Sequence, residues 1–175
     1  HIKEMMLTGG SPTMHPALVN ELTHFANEKN IFITIETEGS HFLRTDYPIN
    51  LLSISPKFSN SIPVLGVETP QGAITDQRMI DRHNKFRLNL DAIAKMIAYH
   101  HDFHIKPVWD GQDNETLVEI IEFLDDLSKK VFELVKAYGL TEDDVTQSIN
   151  EKVWFMPAGD SREALFKSYA KVFDW

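Results

Sequence analysis

A run of apolar and β-branched residues from Ile31 to Ile35 constrains the fold more than any other segment. It reads Ile-Phe-Ile-Thr-Ile, with almost no alternation between apolar and polar residues. Such strands are typically buried on both faces, inside a parallel sheet that helices cover. The segment therefore predicts an α/β fold. The chain has 175 residues, enough for one domain with a substantial core.

Strand and helix patterns alternate along the rest of the chain. Besides 31–35, strands are predicted over 3–7, 51–54, 103–108 and 152–156. Helical spacing is predicted from Pro16 to Asn30, within 75–86, over 88–99, over 113–139 with a break near 127–130, and from Thr141. Asp160 and Glu163 form a predicted capping box for a last helix. This order implies a parallel sheet or part of a (β/α) barrel.

Polar and glycine-containing clusters come just after the predicted strands. Because catalytic and binding sites of parallel α/β folds lie at the carboxyl ends of the strands, all of these clusters are expected at one edge of the sheet. They are Thr8-Gly9-Gly10-Ser11, Glu36-Thr37-Glu38-Gly39, Ser55-Pro56-Lys57, Asp110-Gly111 and Pro157-Ala158-Gly159.

Charge and cysteine content exclude several classes of protein. The chain has 17 Lys and Arg against 26 Asp and Glu, a net charge of −9, which argues against nucleic acid as a partner. No apolar run approaches the roughly 20 residues of a membrane span, and no leader sequence opens the chain. The chain contains no cysteine, so it can form no disulfide, Cys-ligated zinc site, thiolate nucleophile or Cys-ligated cluster. We expect a cytoplasmic protein.

The clusters offer candidate binding groups, each with a plain structural alternative. Gly9 and Gly10 let backbone amides approach a ligand, but a glycine pair also makes a tight turn. Glu36 and Glu38 offer acceptor oxygens to an ammonium or an amino-pterin edge, or form a solvated strand end. Lys57 can pair with a carboxylate or act as a solubilising charge.

Four residues between a predicted helix and strand invite a metal interpretation, but their spacing fits no known ligand pattern. We expect no metal site among them, and the spacing of the chain identifies no catalytic residue. They are His100, His101, Asp102 and His104.

Taken together, the clusters resemble the motifs of radical S-adenosylmethionine (SAM) enzymes. Leu7 to Thr13 resembles their Thr-Gly-Gly-Glu-Pro-Thr segment. Ile35 to Gly39 and Ile54 to Lys57 resemble the Glu-Thr-Asn-Gly and Ser-Pro-Lys segments of the 7-carboxy-7-deazaguanine synthases. Further matches to late strand ends of that family lie at 105–108 and 155–159. The matches keep the family's order over nearly the whole chain.

The resemblance implies a partial (β/α)6 barrel, one domain over residues 1–175 without its first β/α unit. It implies a radical ring contraction of 6-carboxytetrahydropterin to 7-carboxy-7-deazaguanine, a step towards queuosine, with SAM, a [4Fe–4S] cluster and Mg²⁺ as cofactors. An electron donor for the cluster is implied as a partner, and a homodimer is a further expectation. The resemblance also implies roles for the residues that match the family's motifs. Thr8 and Glu36 would line the substrate site, and the residues in contact with SAM would be Gly9, Gly10, Ser11, Glu38, Ser55 and Lys57.

The chain departs from the family in two ways. The family's three cluster cysteines precede the Gly-Gly segment, and here only seven residues precede Thr8. Ser11 stands where the family usually has a Glu that receives the SAM ammonium, and we expect Glu38 to take over part of that role. Two alternatives stay open: a non-catalytic SAM- or nucleotide-binding module, and a relative of the enzymes that activate glycyl-radical proteins.

Overall fold

A computed structural model describes residues 2–69, 72–159 and 161–173. Its central element is a parallel sheet of four strands, β1 (Glu4–Leu7), β2 (Phe32–Thr37), β3 (Leu51–Ile54) and the later Phe103–Ile105, in that order. Residues 68–69 (β4) and 72–73 (β5) form a separate antiparallel pair. In chain order the fourth strand of the parallel sheet, Phe103–Ile105, is therefore β6. The predicted α/β class with a parallel sheet is confirmed.

The last strands extend this sheet beyond β6. β7 (Val108–Trp109) pairs in parallel with β8 (Met156–Pro157), and Ile105 forms a parallel bridge with Val153. Each strand of the parallel sheet thus lies beside the one that precedes it in the chain, without the reversal that defines doubly wound folds. The described strands form an open sheet, and no closure into a barrel is observed among them.

Six α-helices are described. They are α1 (Pro16–Lys29), α2 (Gln77–Phe86), α3 (Leu90–Tyr99), α4 (Asn114–Val135), α5 (Glu142–Asn150) and α6 (Arg162–Phe173). The predicted boundaries hold where a local device sets them: Asn30 adopts the left-handed conformation that ends α1, and the Asp113 carboxylate accepts hydrogen bonds from the first turn of α4. No helix in the described ranges is long and apolar enough to cross a membrane.

Three sequence-based boundaries are wrong. The predicted strand 152–156 is not continuous, because Val153 forms an isolated bridge and β8 begins at Met156. The predicted break near 127–130 does not occur, because Leu127 and Val131 continue the buried face of α4 and Ser128 donates its hydroxyl to the Leu124 carbonyl within the helix (2.9 Å). The predicted strand 103–108 is interrupted between β6 and β7, where Pro107 has no N–H to donate. The Asp160 capping box lies outside the described residues.

The core lies between the sheet and the helices. Alternate residues of the strands, such as Ile35, Leu52 and Ile105, are fully buried and belong to one apolar cluster with Ile93 of α3 and Ile120 of α4. Because strand side chains alternate between faces, the remaining strand residues form the opposite face of the sheet. That second face carries polar side chains, and it positions the candidate site.

The outer edge of β1 has no strand partner among the described residues. Ile2 and Met6, at this edge, are 75% and 55% exposed. An open edge of this kind can accept another strand.

Candidate functional site

Five side chains form a line across the polar face of the sheet, three from β2, β3 and β6 and one from the segment on either side of them. The register pairs Glu36 of β2 with Ser53 of β3 and Ser53 with His104 of β6. Thr8 follows β1 and bonds to Glu36, while Trp154 follows the residue bridged to Ile105 and stacks on His104. We call Thr8, Glu36, Ser53, His104 and Trp154 the transverse row.

The Glu36 carboxylate is the centre of charge in this row. Its Oε2 accepts from the Thr8 hydroxyl at 2.7 Å, and its Oε1 accepts from the Lys106 ammonium at 2.8 Å. Hydrogen bonding to Lys106, and secondly to Thr8, lowers the pKa of Glu36, with a smaller contribution from Ser53. Glu36 is therefore an ionised group at neutral pH, held by the Thr8 hydroxyl and the Lys106 ammonium.

The other half of the row is aromatic. The His104 Nε2 lies 2.8 Å from the Ser53 hydroxyl, and the His104 ring stacks on Trp154 with centroids 4.7 Å apart and planes 14° from parallel. Burial lowers the pKa of His104, and the nearby Lys106 charge lowers it further. The imidazole is thus neutral at pH 7. The Ser53 hydroxyl and the His104 Nε2 share one hydrogen bond, whose direction follows the tautomer of the ring.

The loop after β1 presents open backbone at the carboxyl edge of the sheet. Gly9 and Gly10 have φ values of +81° and +58°, and a Cβ on either residue would meet no atom within 4 Å. The positive φ values require glycine, and the empty space allows a ligand to approach the peptide groups closely. Ser11, next in the chain, exchanges a hydrogen bond with the Thr13 hydroxyl at 2.9 Å.

A cavity of about 370 Å³ lies between α2 and the loop that follows β2. Its lining combines Glu38 and Lys57 with Arg82 of α2. The Ser40 hydroxyl donates to the Glu38 carboxylate and so must accept from the Nδ1–H of His41, 2.7 Å away. The cavity, which Arg87 also lines, therefore offers one carboxylate and three cationic side chains, so it can contact both ends of a zwitterionic group.

Lys57 also lines a neighbouring cavity of about 380 Å³, whose acidic residues are Asp110 and Asp113. The backbone around Lys57 is fixed, because its carbonyl accepts from the Arg87 guanidinium at 3.1 Å and Arg87 pairs with Glu119 at 2.8 Å. The ammonium of Lys57 is therefore placed on a fixed segment between two cavities at the carboxyl edge.

The structure brings some predicted site residues together and separates others. Thr8 and Glu36 are hydrogen-bonded, as expected of neighbours in one site. Glu36 and Glu38 lie in different surroundings, since Glu36 binds Lys106 on the sheet face whereas Glu38 binds Ser40 beside α2. Ser55, also predicted to contact SAM, follows β3 and donates its backbone N–H to the Thr37 carbonyl at 2.8 Å.

The described residues contain no group of three or more His, Cys, Asp or Glu side chains that could hold a metal ion. Of the residues considered for a metal, His100 is buried in the core and His104 belongs to the transverse row. The chain also contains no cysteine with which to hold a [4Fe–4S] cluster.

Sequence reasoning missed four members of the site: Ser53, His104 as a ring partner, Lys106 and Trp154. Their alternation with buried residues was the available signal, because Ser53 lies between Leu52 and Ile54 and a polar residue flanked by core residues in a strand faces the other side of the sheet. Strand pairing was needed to place them in one row.

Comparison with known proteins gives one partial similarity. The chain is 31% identical over 96 residues to a protein of Halobacterium salinarum named 7-carboxy-7-deazaguanine synthase. The match covers 55% of this chain and 35% of that relative, so the chain spans about a third of the length of the relative that it matches. No protein-family model matches the chain. No solved structure matches it either.

Proposed function

We propose that this chain carries the SAM- and substrate-binding face of a radical SAM enzyme related to the 7-carboxy-7-deazaguanine synthases. The observation that carries the proposal is the meeting of the motif-bearing loops at one edge of a parallel sheet, in the order of that family's motifs. The partial identity to the Halobacterium protein supports the deazaguanine branch over the glycyl-radical activating enzymes. The same proposal includes a cytoplasmic location.

SAM is assigned to the carboxyl edge of the sheet. The open backbone of Gly9 and Gly10 would take the methionyl part, and Ser55 the ribose. Glu38 would receive the ammonium of the amino-acid end and Lys57 its carboxylate, in agreement with the charges of the cavity beside α2. Ser11 can add only a neutral hydroxyl contact, so the charge-assisted bond to the ammonium falls to Glu38.

The substrate is assigned to the polar face of the sheet. A reduced pterin that carries a carboxylate has a flat ring, a donor edge and one negative charge. The transverse row offers an aromatic surface, an ionised carboxylate in Glu36 and the adjacent Lys106 ammonium. Binding and orientation of the ring are the roles of these residues.

A cluster does not fit the residues present. The chain has no cysteine, and the described residues offer no other set of metal ligands. The function proposed for this chain is therefore one of binding and positioning.

Calorimetric titration with SAM tests the assignment of Glu38. The Glu38→Gln protein should bind SAM about tenfold more weakly than the parent, because a charge-assisted hydrogen bond is roughly twice as strong as a neutral one. Methylthioadenosine, which lacks the amino-acid end, should bind both proteins equally. The matched control is Glu21→Gln, which neutralises an exposed glutamate on α1.

Two results would contradict the proposal at different levels. Equal SAM affinity of the Glu38→Gln and parent proteins would remove Glu38 from the site. A parent protein that binds neither SAM nor methylthioadenosine would overturn the assignment of the whole edge.

A second candidate function is a binding module without radical chemistry. Ser11 favours it, because a neutral hydroxyl stands where the enzymes usually carry the Glu that receives the SAM ammonium. Iron and sulfide analysis of the anaerobically purified native gene product separates the two: stoichiometric iron and sulfide support the enzyme, and their absence from a folded, SAM-binding protein supports the module.

A further inference from the structure

We propose that a second binding site, for a small neutral sugar, lies at the amino edge of the sheet. The amino edge is the end at which the parallel strands begin, opposite the carboxyl edge to which SAM is assigned. A cavity of about 160 Å³ lies there, between the end of α1 and the loops that precede β3 and β6. None of its lining residues belongs to the site described above, so this inference does not depend on the proposed function.

Four exposed side chains line this cavity without a hydrogen-bond partner among the described residues. They are the side-chain amides of Asn27 and Asn30, the Tyr47 hydroxyl and the His101 imidazole. Asn50 adds a fifth polar group. Its Oδ1 accepts from the Ile33 N–H at 2.9 Å, which leaves both N–H groups of its amide without a partner in the described part of the chain. A ligand in the cavity therefore meets both donors and acceptors.

The charge around the cavity favours a neutral ligand. The described residues that line it include no Asp, Glu, Lys or Arg. Asp46, next to Tyr47 in the chain, is already bound by Asn20 and His24, at 2.9 and 2.8 Å. An ionic ligand would lose hydration here without gaining a counter-charge, which costs free energy.

The lining is apolar where it is buried. Ala26 and Ile33 are each 2% exposed, and Pro48 lines the cavity beside them. A sugar ring has the complementary surface, because its C–H groups can cover apolar residues while its hydroxyls reach the polar side chains. Each hydroxyl both donates and accepts, so it can bond to the amide donors of Asn50 and to the amide oxygens of the other asparagines. The volume, roughly that of five water molecules, suits a single small ring.

The backbone around the cavity is fixed by its own hydrogen bonds. Asn30 ends α1 in the left-handed conformation, and the following Ile31 N–H bonds to the Ala26 carbonyl at 2.8 Å. On the other side, the His101 N–H bonds to the Ile49 carbonyl at 3.0 Å. The loops therefore hold the polar side chains around the cavity before a ligand arrives, as is usual for small-molecule sites.

Saturation-transfer difference NMR with D-glucose and D-ribose tests the site, with D-glucuronate and D-glucosamine as charged counterparts. The parent should bind the neutral sugars saturably and the charged ones several times more weakly. Tyr47→Phe and Asn27→Ala each remove one polar group that has no protein partner, so both variants should fold and bind glucose about fivefold more weakly. Tyr138→Phe, which removes a hydroxyl from a side chain that is 82% exposed after α4, is the matched control and should bind glucose as the parent does.

A charge placed in the cavity tests the location of the ligand. Asn50→Asp keeps the oxygen that accepts from the Ile33 N–H and adds a negative charge, so it should reverse the preference and bind glucosamine more tightly than glucose. A parent that binds neither neutral sugar would overturn the site. Equal glucose affinity of the parent, Tyr47→Phe and Asn27→Ala would also overturn it, as would a parent that binds the charged sugars as tightly as the neutral ones.

Discussion

Protonation of His100 should destabilise the folded chain well above the pH at which its carboxylates titrate. His100 ends α3, is 8% exposed, and lies 3.0 Å from both the Ile49 N–H and the Leu43 carbonyl. Because Nδ1 accepts from the Ile49 N–H, the ring proton resides on Nε2 and is donated to Leu43. A second proton on Nδ1 would face an N–H donor inside the core.

The magnitude follows from the lowered pKa of this histidine. Burial lowers the pKa of His100 from 6.5 to about 4, although the bond to Leu43 opposes the change. The unfolded chain therefore binds the proton first, so the stability that neutral His100 contributes is full above pH 6.5 and is lost as the pH falls towards 4. This linkage amounts to about 3 kcal/mol in total, and to about 2 kcal/mol between pH 7 and pH 5.

Urea unfolding at pH 7 and pH 5, followed by circular dichroism, measures this loss. The His100→Gln variant keeps a donor for the Leu43 carbonyl but cannot titrate, so it should be less stable than the parent at pH 7 and lose about 2 kcal/mol less between the two pH values. His83 and His104, whose pKa values burial also lowers, contribute equally to both proteins and cancel in the difference.

His15→Gln is the matched control, because it removes an exposed imidazole that lies before α1 and outside the core. The reasoning is refuted if the parent and His100→Gln lose the same free energy of unfolding between pH 7 and pH 5.

Two further changes probe the loops that carry the site. Gly39→Ala should lower the free energy of unfolding by about 2–4 kcal/mol, because φ is +82° and the new Cβ would lie 2.5 Å from Cγ1 of buried Ile93. Gly66→Ala, where φ is +80° and no atom lies within 4 Å, should lower it by only about 1 kcal/mol. Equal losses for the two variants in urea unfolding would rule out the clash with Ile93. Asp113→Ala should lower the free energy of unfolding by about 1 kcal/mol, because it removes the N-cap of α4, and Asp113→Asn should lower it much less. If Asp113→Ala left the thermal unfolding midpoint unchanged, the capping role of Asp113 would be contradicted.

Features set by local sequence were predictable. Asn30 and Asp113 fix helix ends through their own backbone conformation or side chain, and both boundaries were placed correctly. The parallel sheet followed from the apolar run at 31–35, of which Ile33, Thr34 and Ile35 are buried. The break expected in α4 was wrong because tertiary packing of Leu127 and Val131 outweighed the weaker local pattern.

The candidate site was predictable only at its edge. The strand-end clusters could be assigned to one edge because all parallel strands end there. Lys106 was not recognised as a site residue, since its partner Glu36 is 70 residues away in the chain and their contact depends on the strand register. Glu36 and Glu38 share one strand end in the sequence, yet Glu38 lies beyond the last residue of β2 and lines the cavity beside α2.

The sequence by itself determined the α/β class, the polar loops that follow the strands and the absence of cysteine ligands. The tertiary structure alone decided that Thr8, Glu36, Ser53, His104 and Trp154 form one row, and that Glu36 is held by Lys106. The physical reason is range: helix caps and burial patterns act between neighbours along the chain. A cross-strand row exists only after pairing has set the register of five strands.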